Sequence, residues 1–294
     1  MDLKSYLSKQ EKIVNNALKK SLPKDNSIIS QAMRYSLLAG GKRLRPIFVM
    51  LAAELFGVKA EKVMPAACAV EYIHTYSLVH DDLPAMDNDD LRRGKPTSHK
   101  KFGEAAAILC GDALLTEAFN LITKSSAEGK NISKAVSILS TYAGFKGMIA
   151  GQAEDTIFAG KWNKKDKAFL SKKLRFIQIT KTAALLTASL KMGAVLAGAD
   201  DKSVKALEIY GTNAGIAFQI ADDILDVYAD KKLLGKKGSD KDNDKLTELS
   251  LFGKEQAEKN AALYVKKAKN ALKIFGSKAE KLIALADYMT ERKY

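Results

Sequence analysis

The five prolines of this 294-residue chain, Pro23, Pro46, Pro65, Pro84 and Pro96, all lie in its first third, and none occurs from Thr97 to Tyr294. Proline removes a backbone donor and clashes with the preceding helical turn, so a long stretch without it is open to uninterrupted helix. That stretch is also rich in Ala, Leu, Lys and Glu, the better helix formers. Apolar residues recur at helical spacing and predict helices over 28–39, 46–56, 65–82, 104–125, 133–150, 167–197, 203–227 and 254–275. Gly40-Gly41 closes the first of these and Gly57 the second. Pro46 and Pro65 are expected to open the second and third, and the third stops before Pro84. No run alternates as a strand would. The expected fold class is all-α, a helical bundle forming a single domain over 1–294, since no Pro/Gly/Ser linker divides the chain.

Apolar residues make up 47% and charged residues 28%, which excludes disorder and collagen. Lys+Arg exceed Asp+Glu by 14, so the protein attracts anions. Cys68 and Cys110 are too few for a disulfide scaffold or a structural zinc site, and a reduced cytoplasmic setting is the expectation. Residues 1–16 are charged throughout and do not read as a signal peptide. No stretch reaches about 18 uninterrupted apolar residues, so no membrane span is expected.

Against the basic background, residues 81–90 read DDLPAMDNDD. Asp81 and Asp82 end an apolar helix, and Asp87 follows in the turn after Pro84. Crowded carboxylates repel one another, and a divalent cation with a taste for oxygen, Mg²⁺ or Mn²⁺, relieves the repulsion. An EF-hand fits poorly, because counting from Asp87 puts Arg92 where glycine is needed. A second cluster, DDILD at 222–226, begins 141 residues after the first. Asp222 and Asp226 share a helix face, with Asp223 beside them. One such cluster could be a solvated helix end. Two in apolar contexts point to metal ions held around a polyanion.

Cations accompany the carboxylates. Arg92 and Arg93 follow the first cluster, and the segment GGKRLRP at 40–46 places Lys42, Arg43 and Arg45 beside a helix end. Guanidinium groups suit bidentate phosphate contacts. Because they need no metal, they suggest a second phosphate group bound directly. His74 lies two turns before Asp81 and is placed for a phosphate contact; His80 and His99 read as structural. The polar segments 85–103 and 230–248 read as solvated loops that, following acidic clusters, could serve as lids.

The stretches GGKRLRP (40–46), HDDLPAMDNDDLRRGKPTSH (80–99), Lys181-Thr182 and FQIADDILD (218–226) together resemble the short-chain trans-prenyltransferases, the farnesyl and geranylgeranyl diphosphate synthases. The resemblance covers nearly the whole chain. It implies an isoprenoid-synthase bundle with a central cavity, a homodimer, and Mg²⁺-dependent head-to-tail condensation of an allylic diphosphate with isopentenyl diphosphate. By it, Asp81, Asp82, Asp87, Asp222, Asp223 and Asp226 would hold three Mg²⁺ on the allylic diphosphate, which Arg92, Lys181, Lys236 and Lys245 would also contact. Lys42, Arg45, His74 and Arg93 would bind isopentenyl diphosphate without metal. Thr182 and Gln219 would stabilise developing positive charge at the allylic carbon, and released pyrophosphate would take the proton. Arg292 and Lys293 would fold over the closed site. One departure stands out: the family commonly carries an aromatic-Pro pair shortly after the lysine of the second lid, whereas here Lys245 is followed by Leu246-Thr247-Glu248-Leu249.

Product length is expected to be set one helical turn before Asp81. Ser77 there is small, and the neighbouring Tyr76 has a ring able to reach the growing tail. By resemblance to bacterial farnesyl synthases, Tyr76 favours a fifteen-carbon product, with a twenty-carbon product as the alternative. A terpene cyclase takes one diphosphate and would not need GGKRLRP, His74 and Arg93. A noncatalytic subunit usually loses one Asp cluster. A nucleic-acid binder would explain the charge but not acidic clusters in apolar helices.

Overall fold

The computed structural model of the chain describes residues 2–161, 165–228 and 245–290. The architecture is all-α, as the proline distribution and apolar period predict. Two compact units arise: residues 1–138 with 191–199, and residues 139–190 with 200–294. Two of the boundaries fall inside helices, within 129–143 and 184–196, and the third in the short connection at 197–200.

In the first unit, α1 (Leu3–Ser21) starts at Asp2, whose carboxylate accepts from the Lys4 and Ser5 backbone N–H groups. Helix α2 (Ile28–Leu37) starts at Ser27, whose hydroxyl accepts from Ser30 N–H. Helix α3 is Leu44–Glu54 and α4 is Ala60–Asp81. Pro46 therefore lies in the first turn of α3 rather than opening it. Pro65 lies inside α4, which begins five residues before it. A proline near a helix start lacks a donor for only one early carbonyl, and burial of the rest of α4 outweighs that loss. Helix α4 is the centre of this unit. Buried Val63, Cys68, Val70, Tyr72, Ile73 and Val79 pack it against α3 and α6 (Glu104–Thr123). Gly111 of α6 lets the helices close up, since a Cβ there would collide with the His80 ring. The His80 ring also lies 3.0 Å from the Ile108 carbonyl, so it packs into the α4–α6 contact.

The 85–103 segment is not only solvated loop. It contains a two-residue antiparallel hairpin, β1 (Leu91–Arg92) with β2 (Lys95–Pro96), and a short helix α5 (Ser98–Phe102). The Thr97 hydroxyl and N–H bond the carbonyls of Asp89 and Asp90, so turn hydrogen bonding organises a segment that apolar periodicity does not reveal.

The helix expected over 133–150 is two, α7 (Gly129–Ala143) and α8 (Met148–Phe158), broken at Gly144–Gly147. Lys167–Leu196 is one helical rod with a π-helical turn inside it: α9 (Lys167–Ile177), Gln178–Ala183 in π form, then α10 (Ala184–Leu196). In the second unit α11 (Asp201–Tyr228) packs on α13 (Lys254–Ala271), after the short α12 (Glu248–Phe252). A 3₁₀ stretch, Leu272–Ala279, then leads into α14 (Glu280–Thr290). Ala183, Ile216, Ile220, Ala257 and Ala261 form the apolar cluster beneath the π turn. Glu104–Thr123 and Lys167–Leu196 are each long and apolar enough to cross a membrane, although neither is an uninterrupted apolar run. The apolar window of Lys167–Leu196 is 78% buried inside the protein, which is the behaviour of a core helix.

Candidate functional site

One group of candidate residues, in the first unit, is built on the C-terminal end of α4. Asp81 is in its last turn and Asp82 caps it. Carboxylates at that end oppose the helix dipole, so something positive must hold them. Arg92 does: its Nε lies 2.7 and 2.9 Å from the two Asp82 oxygens and its Nη2 2.5 Å from Oδ1. It also reaches Asp89 at 3.5 Å. Burial nevertheless pushes the Asp82 carboxyl up, against the pull of the Arg92 bond. The Asp87 N–H bonds the Asp81 carbonyl, folding the DDLPAMD turn back on the helix end.

The GGKRLRP loop lies between two guanidinium groups. Gly41 has φ +128°, and a Cβ there would sit 2.9 Å from Arg93 Nη2. Arg93 donates to the Gly40 carbonyl. On the other side Arg43, in the left-handed region at φ 50°, is buried. Its guanidinium donates to Glu71 at 2.7 Å, Asn15 at 2.8 Å and the Leu37 carbonyl at 2.7 Å. Arg43 thus secures the loop between exposed Lys42 and half-buried Arg45. One turn beyond Glu71 is His74. Burial, then Arg45, Arg93, Arg92 and Arg43, push its imidazole well below the usual range, so it is neutral near pH 7. The structure thus brings together Arg45, His74 and Arg93 of the expected isopentenyl diphosphate set with Arg92 of the expected allylic set, and leaves Lys42 exposed. A cavity of about 30 Å³ beside Asp82, Arg92 and Arg93 is far smaller than a typical ligand pocket.

Tyr76 is buried, its ring edge-on to His80 at 5.8 Å between centroids. Burial, with Asp81 nearby, pushes its phenol up to about 12. Its Oη is buried without a hydrogen-bond partner among the described residues. Ser77 is half-buried and donates to the His74 carbonyl. His99 is buried beside the Thr97 hydroxyl, as its structural reading predicts.

A second group of candidate residues, in the second unit, is built on α11 and the π turn. Asp222, Asp223 and Asp226 occupy the last two turns of α11. Burial, then the charges of Asp226 and Asp222, push the Asp223 carboxyl up to about 7, against the pull of the Gln219 bond. Gln219 Nε2 lies 2.7 Å from Asp223 and its Oε1 accepts from Thr182 at 2.5 Å, joining two residues expected at the reacting carbon. Lys181 is held by Asp155 at 2.5 Å. Gly151 and Gly215 let α8 and α11 close on the π turn, since a Cβ at either would strike the backbone of Lys181 or Ala183. π turns inside α-helices often mark functional sites, and here one carries Lys181 and Thr182. The second lid's solvated reading fails at its end, where Leu246 and Glu248 are buried. Lys245 is half-buried just before them. Lys236, Arg292 and Lys293 lie outside the described residues.

Among the described residues no three candidate ligands stand close enough to hold a metal ion by themselves. The donor chemistry still suits Mg²⁺, which is usually bound by one or two carboxylates together with substrate phosphates. The raised Asp82 and Asp223 carboxyls are the kind of crowded, desolvated donors such a cation relieves. Arg43, Glu71, Asp155, Gln178 and Glu248 were not singled out by sequence patterns as site residues. Arg43 alone had a signal, its place within the GGKRLRP motif.

Comparison with known proteins agrees with these features. The polyprenyl synthetase family matches residues 26–284. The chloroplastic geranylgeranyl pyrophosphate synthase of Capsicum annuum is 46% identical over 296 residues, 99% of this chain and 79% of that protein. The geranylgeranyl diphosphate synthase of Cyanophora paradoxa is 44% identical over 298 residues, 99% and 97% of the two chains. Among solved structures, an FPP/GFPP synthase from Zymomonas mobilis shares 35% identity at a TM-score of 0.85, covering 98% of this chain and 99% of its own. A geranyltransferase from Helicobacter pylori, complexed with magnesium and isoprenyl diphosphate, shares 33% identity at a TM-score of 0.85, covering 99% of each chain. With a match running through both acidic clusters and the loop between Arg43 and Arg93, the chain belongs to the polyprenyl synthetase family.

Proposed function

We propose that this protein condenses isopentenyl diphosphate head to tail with allylic diphosphates and carries the product to twenty carbons. The observation that carries the reaction class is the nest of Arg45, Arg93, Arg92 and Arg43 around a neutral His74, beside the Asp82 end of α4. Glu71 already balances Arg43 and Asp82 balances Arg92, so a polyanion would answer Arg45 and Arg93, and the carboxylates alongside leave room for a second one bound through metal.

In the proposed reaction the allylic C–O bond breaks and its electron pair leaves with pyrophosphate. The isopentenyl double bond gives its π pair to the allylic carbon, and loss of a proton to pyrophosphate restores a double bond. Lys42, Arg45 and Arg93 would hold the isopentenyl diphosphate, with neutral His74 donating one N–H. Arg92 would exchange Asp82 for the allylic diphosphate, and Lys181 would exchange Asp155. Thr182 and Gln219, already bonded to each other, would present oxygen dipoles to the carbocation. Asp81, Asp82, Asp87, Asp222, Asp223 and Asp226 would hold Mg²⁺, three ions by the resemblance with Mn²⁺ as a substitute. Bound there, the metal would stabilise the leaving pyrophosphate. A homodimer and a cytoplasmic setting belong to the same reading.

The twenty-carbon product is supported by the names of the Capsicum and Cyanophora relatives, and it displaces the fifteen-carbon expectation drawn from Tyr76. The fifteen-carbon reading keeps one observation in its favour, the buried Tyr76 with its unpartnered Oη one turn from Asp81. Product analysis decides between them. Labelled isopentenyl diphosphate, Mg²⁺ and dimethylallyl, geranyl or farnesyl diphosphate should yield twenty-carbon product, abolished by EDTA. Output that stops at fifteen carbons, and lengthens in Tyr76→Ala, would establish Tyr76 as the stop. No condensation with any starter would overturn the reaction class.

A further inference from the structure

Glu248 lies within the stretch where the chain departs from the family's aromatic-Pro pattern, and it is fully buried. A buried carboxylate is costly unless every lone pair has a donor. Here both oxygens have one: Gln178 Nε2 at 3.0 Å and Asn260 Nδ2 at 2.6 Å. Gln178 is itself oriented by Arg175, whose Nη1 donates to its Oε1 at 2.8 Å. A Thr247–Ser250 capping box starts α12 at this point and fixes the backbone that carries Glu248.

These bonds form a chain. The Glu248 side chain holds Gln178, the first residue of the π turn, and the same turn carries Lys181 and Thr182. Thr182 bonds Gln219, and Gln219 bonds Asp223. We propose that Glu248 is a positioning residue: it fixes the π turn and, through Thr182 and Gln219, the Asp223 carboxylate, preorganising the residues that take the metal and the allylic diphosphate. It touches neither substrate nor metal and acts through Gln178 and the π turn. The proposal rests on the condensation reading, and its test separates the two.

Binding of Mn²⁺ in the presence of inorganic pyrophosphate, followed by the electron paramagnetic resonance of the bound ion, needs no turnover. In Glu248→Ala the Mn²⁺ affinity should fall about tenfold. The KM for the allylic diphosphate should rise by a similar factor, while that for isopentenyl diphosphate stays within twofold. Glu248→Gln keeps the volume but turns one oxygen into a donor facing Asn260 Nδ2, so it should weaken Mn²⁺ binding too. Adding Asn260→Asp reverses the polarity at that contact and should restore the affinity. Wild-type Mn²⁺ affinity and unchanged KM values in the Glu248 variants would overturn the proposal, whatever their thermal stability. So would failure of the exchange to restore binding. If wild type proves unable to condense its substrates yet shows these Mn²⁺ effects, the reaction reading falls and the positioning role stands.

Discussion

At the scale of single residues, buried charge is the feature that most needs explanation. Arg43 and Glu71 are an ion pair almost without exposure, and Arg43 also adopts φ 50°, which an L residue takes at a cost. Removing one partner strands the other, so Arg43→Ala or Glu71→Ala should lower stability by about 3–5 kcal/mol in urea denaturation. Arg43→Met with Glu71→Leu should lose less than either, because no charge is left buried. Gly41 has two independent reasons to be glycine, its φ of +128° and the Arg93 guanidinium above it. Gly41→Ala should therefore raise the KM for isopentenyl diphosphate about tenfold, with kcat changing less; equal KM would show that the loop does not shape that subsite. Asp223 supplies the pH prediction. Its pKa of about 7 in the folded state lies above the ordinary 3.8, so its contribution to stability is greatest when protonated and is lost as pH rises from about 4 through about 7. Asp223→Asn should raise the urea midpoint of the metal-free protein at pH 8, by up to roughly 4 kcal/mol in free energy. Near pH 3 it should change little. These acidic residues and the arginine motif were legible in the chain. Glu248, Gln178 and Asp155 were not, because an acid or amide inside a helical pattern reads as a solvated position until its neighbours are known.

At the scale of elements, packing distance governs the candidate site. The π turn Gln178–Ala183 is flanked by Gly151 of α8 and Gly215 of α11, each close enough that a Cβ would meet backbone. Gly151→Ala should force α8 outward, at a cost of about 1–3 kcal/mol. The thermal midpoint should then fall by several degrees. Lys181 should be displaced with it, and an unchanged midpoint and activity would show that the contact is slack. The helices were readable because apolar residues at a 3.6-residue period must share a buried face. The π turn was not, since inserting one residue per turn leaves almost no mark on composition. Pro46 and Pro65 misled for a related reason: proline is tolerated within the first turns of a helix, so it marks a start only loosely. The 91–96 hairpin is two residues per strand and has no room for an alternating pattern.

For the whole molecule, the expected behaviour is that of a polyprenyl synthetase whose product length and metal requirement are measurable. Chelation should abolish condensation, and metal-free protein should gain thermal stability when Mg²⁺ and pyrophosphate are added together more than with either alone, since ligands that bind only the folded state stabilise it by mass action. Equal effects from Mg²⁺ alone would argue for a preformed metal cage, which the described carboxylates do not provide. By itself the sequence determined the helical class, the two acidic clusters and the cationic loop, because these rest on local periodicity and on residue types whose chemistry few other patterns share. Only the tertiary structure decided which charges are already engaged: Arg92 on Asp82, Lys181 on Asp155, Arg43 on Glu71, and Glu248 between Gln178 and Asn260. Those pairings join residues as far as 70 positions apart, and their strength comes from exclusion of water, which depends on how helices pack rather than on the order of residues along the chain.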